Sequence, residues 1–573
     1  MKKLINAPQN VVSEMLEGFA YAHPGISLLE GENVVLCADA DLLLDSGHVA
    51  LISGGGAGHE PAHAGYVGPG MLTAAVIGEV FTSPSTDAVL AAIRSVAGPA
   101  GVLLIIKNYT GDRLNFGLAA ELARAEGIAV ETVVVADDVA LAASNNLAGR
   151  RGLAGCVFVH KIAGAAAQAG LSLRCIKKEA EDAIANMGTM GIALTACTLP
   201  GAAHAGFTLK NDEFELGLGI HGEPGILRST MMRVDKLVDY MLDQILSELK
   251  ISAKTRVALL VNNLGSTPAM EMALVFRRAM KHLLEKKIIV QRAWNGTFLT
   301  AIDMIGGSIT LMKLDDIRIN RLDAMTQAPA WPANFLGRVA NKATNKACVP
   351  KPLANTCLPT SAAFEHVNSR LLRQALIATS EAWRNAESML TKLDSMVGDG
   401  DLGLSLARGA NALNNDLPSY DLQNPGHTLR ALAQTVRRFV GGTTGALYAV
   451  MLLRAAAVLE QEKTPNPMLW SDAFIQGAQK ISEVGGAHLG DCTMLDALMP
   501  AAEAFKTALL AGLGPSHSLE SAMRAARTGA KNTINMHPKK GRASYLGERA
   551  VGHIDPGAQA IVVWLEALAR VLA

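Results

Sequence analysis

Two periodicities divide the chain. Up to about residue 325, aliphatic runs of strand length at 102–106 (VLLII), 130–135 (VETVVV), 257–261 (VALLV) and 308–311 alternate with 87–96, 114–126 and 269–284, where apolar residues recur at helical spacing. Strands separated by helices predict α/β construction on a largely parallel sheet. From about 361 onward the strand-like runs stop. Leu372, Leu376, Thr379, Trp383, Ala386 and Leu390 follow a 4-3-4-3-4 spacing that lays them on one helical face, and similar patterns continue to the C-terminus. The second part is therefore expected to be all-helical. Between the two, residues 329–360 hold Pro329, Pro332, Pro350, Pro352 and Pro359 with four basic residues and no acidic one. Proline at that density blocks helices and central strands. The expected organisation is an α/β domain over 1–328, a proline-rich linker over 329–360 and a helical domain over 361–573.

Composition narrows the class. Half of the 573 residues are apolar, enough for large packed cores, and Lys+Arg and Asp+Glu both total 52. Without a basic excess, neither nucleic acid nor an anionic membrane surface is an expected partner. The seven cysteines are scattered with no C-x-x-C pair, which argues against a disulfide framework and a cysteine-ligated zinc and suits a reducing compartment. The start, MKKLINAPQNVVSEM, lacks the apolar core of a signal peptide, and the apolar run at 446–453 is far below the ~20 residues of a membrane span. A cytoplasmic location is expected.

Candidate chemistry gathers at strand ends and helix starts. Residues 49–53 run into Gly54-Gly55-Gly56-Ala57-Gly58, a strand entering a glycine loop, which is where α/β proteins bind ligands. Lys107 to Asp112 (KNYTGD) and Asn262-Asn263 close two further strands. His59-Glu60-Pro61-Ala62-His63 matches the H-E-x-x-H zinc pattern, but Pro61 and the preceding glycines do not suit the regular helix that pattern requires, so a zinc hydrolase is a remote reading. Gly217 to Gly222 matches G-x-G-x-x-G, yet Glu223-Pro224-Gly225 interrupts the helix a dinucleotide site would open; the match still sets His221 among glycines. Asp394, Asp399 and Asp401 in LDSMVGDGDLG offer hard oxygen ligands suited to Mg²⁺, and an EF-hand fails for want of the closing glutamate. Gly441-Gly442-Thr443-Thr444-Gly445 and Asp555-Pro556-Gly557 read as helix starts, where free N–H groups and hydroxyls favour phosphate, and Arg542 could pair with one. Together these suggest a magnesium nucleotide, although no P-loop or protein-kinase motif is present.

In order and spacing, GGGAGHEPAHAGYVGPGM, IIKNYTGDRLNFG, GIHGEPG, VGDGDLG, GDCTMLDAL and GRASYL followed by DPGA resemble the ATP-dependent dihydroxyacetone kinases over essentially the whole chain. The resemblance implies an α/β ketose-binding domain joined to a barrel-like helical domain that binds ATP and Mg²⁺, in a homodimer. It implies that His221 holds the substrate as a hemiaminal and that His59 and Asp112 are acid/base groups. Gly56, Ala57, Gly58, His59, Lys107 and Asp112 would then face the substrate, and Asp394, Asp399 and Asp401 the metal. Nucleotide contacts map onto Leu402, Gly403, Leu404, Ser405, Thr443, Thr444, Gly485, Thr493, Met494, Arg542, Asp555, Pro556 and Gly557. Ala57 stands where the family usually has serine, Leu402 and Leu404 replace polar or small residues, and Thr443-Thr444 replace a serine pair. Neutral imidazole is a competent nucleophile near pH 7, and only a carbonyl accepts it reversibly, so covalent capture would separate a ketone from glycerol. The expectation is a kinase for dihydroxyacetone or another triose or tetrose such as glyceraldehyde or erythrulose. Some relatives also cyclise flavin adenine dinucleotide, and a ketose-binding regulator is the non-catalytic alternative.

Overall fold

All six residues of β5 (Val102–Lys107) are buried, and so are all eight of β3 (Ala50–Ala57). Burial on both faces explains why these runs are continuous rather than alternating. They are the inner strands of a six-stranded sheet ordered β1 (Ile26–Leu28), β2 (Val34–Cys37), β4 (Ala74–Val80), β3, β5 and β6 (Val130–Val135). The pairs β3/β4, β3/β5 and β5/β6 are parallel, while β1 and β2 run antiparallel at one edge. Helices Thr86–Val96 and Thr110–Ala125 follow β4 and β5 as the alternation predicts, and Ser85 caps the first by accepting the Ala88 N–H.

A second six-stranded sheet is ordered β11 (Ile289–Gly296), β10 (Arg256–Asn263), β12 (Gly306–Lys313), β7 (Met187–Ala193), β8 (Glu213–Leu216) and β9 (Leu227–Thr230). Here the expectation of largely parallel pairing fails. Only β10/β11, joined through helix Ala269–Glu285, is parallel; β12 inserts antiparallel between β10 and β7, and β8 and β9 add antiparallel strands. Short apolar runs betray strand character but not strand direction, which depends on distant partners.

The structure, a computed structural model, describes residues 2–40, 47–141, 149–202, 205, 207–332, 367–398, 400–462, 465–540, 542–545 and 547–572. The chain divides into two units, Met1–Ala347 and Cys348–Ala573. The second is helical from Val367–Asn385 to Pro556–Leu572. The face read from Leu376 to Leu390 is buried, but two helices share it, because the chain breaks at Ala386 between Val367–Asn385 and Glu387–Val397. Among the described residues no helix is long and apolar enough to cross a membrane.

Most of the proline-rich segment lies outside the described residues, but its first residues are packed. Trp331 is 5% exposed and its ring lies 5.1 Å from that of Trp294, while the Ala330 N–H donates to the Gly65 carbonyl. A chain ended at residue 328 should therefore lose about 3 kcal/mol of first-unit stability relative to one ended at 332, the scale of removing a buried tryptophan. Equal melting temperatures for the two would contradict this packing.

Candidate active site

The first sheet delivers a glycine run to a crowded place. A Cβ on Gly55, whose φ is +153°, would lie 3.0 Å from Lys107 Nζ and 3.6 Å from Asp112 Oδ2, so the bare backbone admits both side chains. Lys107 ends β5 and Asp112 sits in the first turn of helix Thr110–Ala125; both are buried. Gly56 and Ala57 close β3, and Gly58 leads directly into His59.

His59 is fully buried, its ring stacked on Phe81 at 5.0 Å. Its Nδ1 lies 2.7 Å from the Thr300 carbonyl and its Nε2 lies 3.0 Å from His221 Nε2. Burial, then the charges of Lys107 and His221, hold the His59 ring well below the ordinary imidazole range. His221 lies in the loop between β8 and β9, with the rings of Tyr109 and Phe81 edge-on at 4.7 and 5.0 Å. Its Nδ1 is 2.8 Å from Glu223 Oε1, and its backbone N–H donates to Glu223 Oε2 at 3.0 Å. Burial pushes the Glu223 carboxyl up, but the hydrogen bond and charge of His221 outweigh it and bring it to about 2.

These distances assign the protons. A carbonyl only accepts, so His59 Nδ1 carries the hydrogen given to Thr300, and its Nε2 is an acceptor. The hydrogen between the two Nε2 atoms then belongs to His221. An ionised carboxylate also only accepts, so His221 Nδ1 carries a hydrogen as well. In this pattern both His221 ring nitrogens donate, Nε2 to His59 and Nδ1 to Glu223.

Buried Arg151 clamps the loop. Its Nη2 donates to the Gly217 carbonyl at 2.5 Å, its Nη1 to the Glu223 and Pro224 carbonyls at 3.4 Å, and its Nε to Asp138 Oδ2 at 2.7 Å. The site is thus built from β3, the β5 end, the loop from β8 and Thr300 beyond β11. Glu223, Arg151, Thr300 and Phe81 escaped the sequence reading. Glu223 had a signal, since it lies two residues from His221; the others become neighbours only through tertiary folding.

The H-E-x-x-H match divides. His63 turns away from His59 to meet His160, Nδ1 to Nε2 at 2.9 Å, with Cys156 beside them. Burial, then the Lys107 charge, lowers the basicity of both rings, and that charge also opposes a cation there. The geometry is not that of a zinc hydrolase.

In the second unit Asp394 lies in the last turn of helix Glu387–Val397, where its Oδ2 accepts the Leu402 N–H at 3.0 Å. Asp401 is exposed at the start of helix Leu402–Asp416 and makes no capping bond; Asp399 lies outside the described residues. Asp555 caps helix Pro556–Leu572 through the Ala558 N–H at 2.7 Å. Burial, followed by the charges of Asp496 and Asp394, pushes Asp555 up to about 7. Asp496, missed in the sequence, accepts the N–H groups of Gly490 and Thr493. Carboxylates close enough for two of them to raise Asp555, each accepting from backbone N–H groups, are a donor set that fits Mg²⁺.

Around them Met494 approaches Gly557, where a Cβ would lie 3.3 Å from Met494 Cβ; Pro556 is buried and Thr493 half-buried. Ser405 lies under Gly441 and accepts from Arg408 Nη2 at 2.9 Å, so Arg408 is a cation that the sequence did not single out. Thr443 is exposed and Thr444 half-buried in the first turn of helix Gly442–Leu459, and Gly485 ends helix Pro467–Gly485 near Leu447. Leu404 is exposed, but Leu402 joins the core and Gly403 packs against the Glu387 carbonyl, so those two reach a ligand through backbone only. The Arg542 side chain lies outside the described residues.

A paired histidine beside buried Lys107 and Asp112 in one unit and an acidic, helix-start-rich site in the other define a two-domain, metal-dependent phosphotransferase. Residues 17–330 match the Dak1 domain and residues 396–570 the DAK2 domain. The chain belongs to the dihydroxyacetone kinase family. It is 44% identical to a putative 3,4-dihydroxy-2-butanone kinase of Solanum lycopersicum, covering 99% of this chain and 98% of that one. It is 39% identical to the triokinase/FMN cyclase of Homo sapiens, covering 100% and 99%. The dihydroxyacetone kinase of C. freundii, solved in complex with AMP-PNP and Mg²⁺, is 34% identical with a TM-score of 0.62 and 99% of both chains covered.

Buried, unprotonated histidines make this unit acid-sensitive. Burial and Lys107 hold His59 and His63 well down, and burial brings His160 to about 3. The unfolded chain takes up protons on all three near pH ~6.5 while the folded chain does not, so this stability is present above that pH and lost as pH falls through it. Asp138, pushed up to about 6 mainly by burial, and Asp137 and Glu60, also raised by burial, work in the opposite direction. They do so only as pH falls through their own folded values, whereas the three rings act from about pH 6.5 downward. The urea midpoint of the first unit should fall from about pH 7.5 to about pH 6. A rising midpoint would contradict buried neutral histidines.

Proposed function

We propose that the chain transfers the γ-phosphoryl group of ATP to a terminal hydroxyl of dihydroxyacetone or a similar short ketose, held as a hemiaminal on His221. The observation that carries this reading is the pair of imidazoles 3.0 Å apart beside buried Lys107 and Asp112. A ketone carbon can bond reversibly to one ring while the other exchanges the proton. Fixing the ketose by a bond also fixes its free hydroxyl, which is the positioning that phosphoryl transfer requires. Gly56, Ala57, Gly58 and Lys107 line the ketose, and His59 and Asp112 move protons. The hydroxyl loses its proton, its oxygen bonds to the γ-phosphorus, and the bond to the departing ADP breaks.

The second unit takes ATP along Leu402 to Ser405, Thr443, Thr444, Gly485, Thr493, Met494, Arg542 and Asp555 to Gly557, with Arg408 as an added cation. Asp394, Asp399 and Asp401 hold Mg²⁺, which when bound neutralises phosphate charge. The proline-rich residues 329–360 tether the units, with Ala330 and Trp331 packed on the first. A homodimer in the cytoplasm completes the proposal, supported by the family resemblance and by the free cysteines among the described residues. The cyclase in the names of the mammalian relatives favours a second activity, cyclisation of flavin adenine dinucleotide at the same nucleotide site.

ADP release measured against dihydroxyacetone, glyceraldehyde, erythrulose and glycerol tests the assignment. Turnover should require a carbonyl substrate and fail with glycerol. Asp394→Asn should lower turnover about a hundredfold, the scale of losing one electrostatic contact to the transition state, and leave ketose binding intact. His221→Ala should lose the preference for ketone over glycerol and keep ATP binding. Normal turnover in Asp394→Asn would remove the metal assignment, and an unchanged preference in His221→Ala would remove the covalent one.

A further inference from the structure

We propose that Glu223 is a positioning residue for ketone capture: it decides which nitrogen of His221 reacts and supplies the counter-charge of the ring. The inference rests on the reading of His221 as the capturing group. Glu223 lies two residues beyond His221 and grips it twice, Oε1 on the ring Nδ1 and Oε2 on the backbone N–H. A side chain with two degrees of freedom is thereby held at both ends, and Nε2 is aimed at His59.

The backbone around Glu223 is shaped to keep it there. A Cβ on Gly219 would lie 2.0 Å from Glu223 Oε2 and 2.8 Å from Arg151 Nη1, so only glycine leaves room for the carboxylate. Arg151 in turn binds the Glu223 and Pro224 carbonyls, and Asp138 anchors Arg151. The G-x-G-x-x-G match, rejected as a nucleotide site, has this packing as its physical reason at the second glycine.

The capture step balances within this set. His221 begins with hydrogens on both nitrogens. Its Nε2 hydrogen passes to His59 Nε2, and the freed lone pair bonds to the ketone carbon. The carbon–oxygen π bond breaks, and His59 returns the proton to that oxygen. The ring keeps its Nδ1 hydrogen and its positive charge, which Glu223 balances before and after the bond forms. Without the carboxylate nothing accepts at Nδ1, and either ring nitrogen can hold the hydrogen of a neutral imidazole.

Selective ¹⁵N-histidine NMR of the full-length protein, with His221 assigned by its loss in His221→Ala, reads the ring directly, and ketone affinity is measured on the same samples. The wild type should show both His221 nitrogens protonated at neutral pH. Glu223→Gln should show a neutral ring and weaken dihydroxyacetone binding about tenfold to a hundredfold, while ATP affinity holds. Glu223→Asp, which keeps the charge, should restore part of both signals. If the glutamine variant fails to fold, Gly219→Ala, which displaces the same carboxylate, should give the same two changes. A ring unchanged by either variant, or a fall in affinity without a change in the ring, would reduce Glu223 to packing and overturn the inference. A wild type with no ketone-dependent ATP turnover would sink the proposed function, while the ring measurement still decides the role of Glu223.

Discussion

Two ring nitrogens 3.0 Å apart can share only one hydrogen, and the first unit is arranged to say which ring owns it. The chain runs from the Thr300 carbonyl through His59 and His221 to Glu223, and each end is fixed by a group that only accepts. Burial keeps His59 free of a second proton, and the ionised Glu223 keeps one on His221 Nδ1. Phe81 and Tyr109 pack edge-on against His221, and Arg151 holds the backbone carbonyl of Glu223.

That requirement explains much of the local sequence. The glycines ending β3 let Lys107 and Asp112 reach across the backbone, and Gly219 leaves space for a carboxylate that any side chain would displace. Arg151, buried and paired with Asp138, ties the irregular loop of His221 to the body of the unit through three carbonyls. The second unit meets a different constraint, carboxylates gathered where helices begin, with Asp394 bound to the N–H of Leu402 and Asp555 pushed up to about 7 by burial and by its acidic neighbours.

Local pattern exposed the elements and the two classes of architecture, because β5 is buried on both faces and Leu376 to Leu390 lie on one face. It could not expose strand direction in the second sheet, where β12 slots antiparallel between β10 and β7. Nor did it show that Trp331 packs beside Trp294, since prolines on either side signal only local chain stiffness. Within the candidate sites, the residues that short motifs pointed to are His59, Lys107, Asp112, His221, Asp394 and Asp555. Arg151, Thr300, Arg408 and Asp496 were not, because their meaning comes from partners far along the chain or from backbone groups that carry no sequence signature.

The central claim is a reversible bond between His221 Nε2 and a ketone carbon. Dihydroxyacetone labelled with ¹³C at its carbonyl, mixed with ¹⁵N-histidine protein, measures that bond directly. The account predicts a tetrahedral carbon signal coupled to one histidine nitrogen, absent in His221→Ala. Bound ketone or hydrate without nitrogen coupling, unchanged by that substitution, would contradict it.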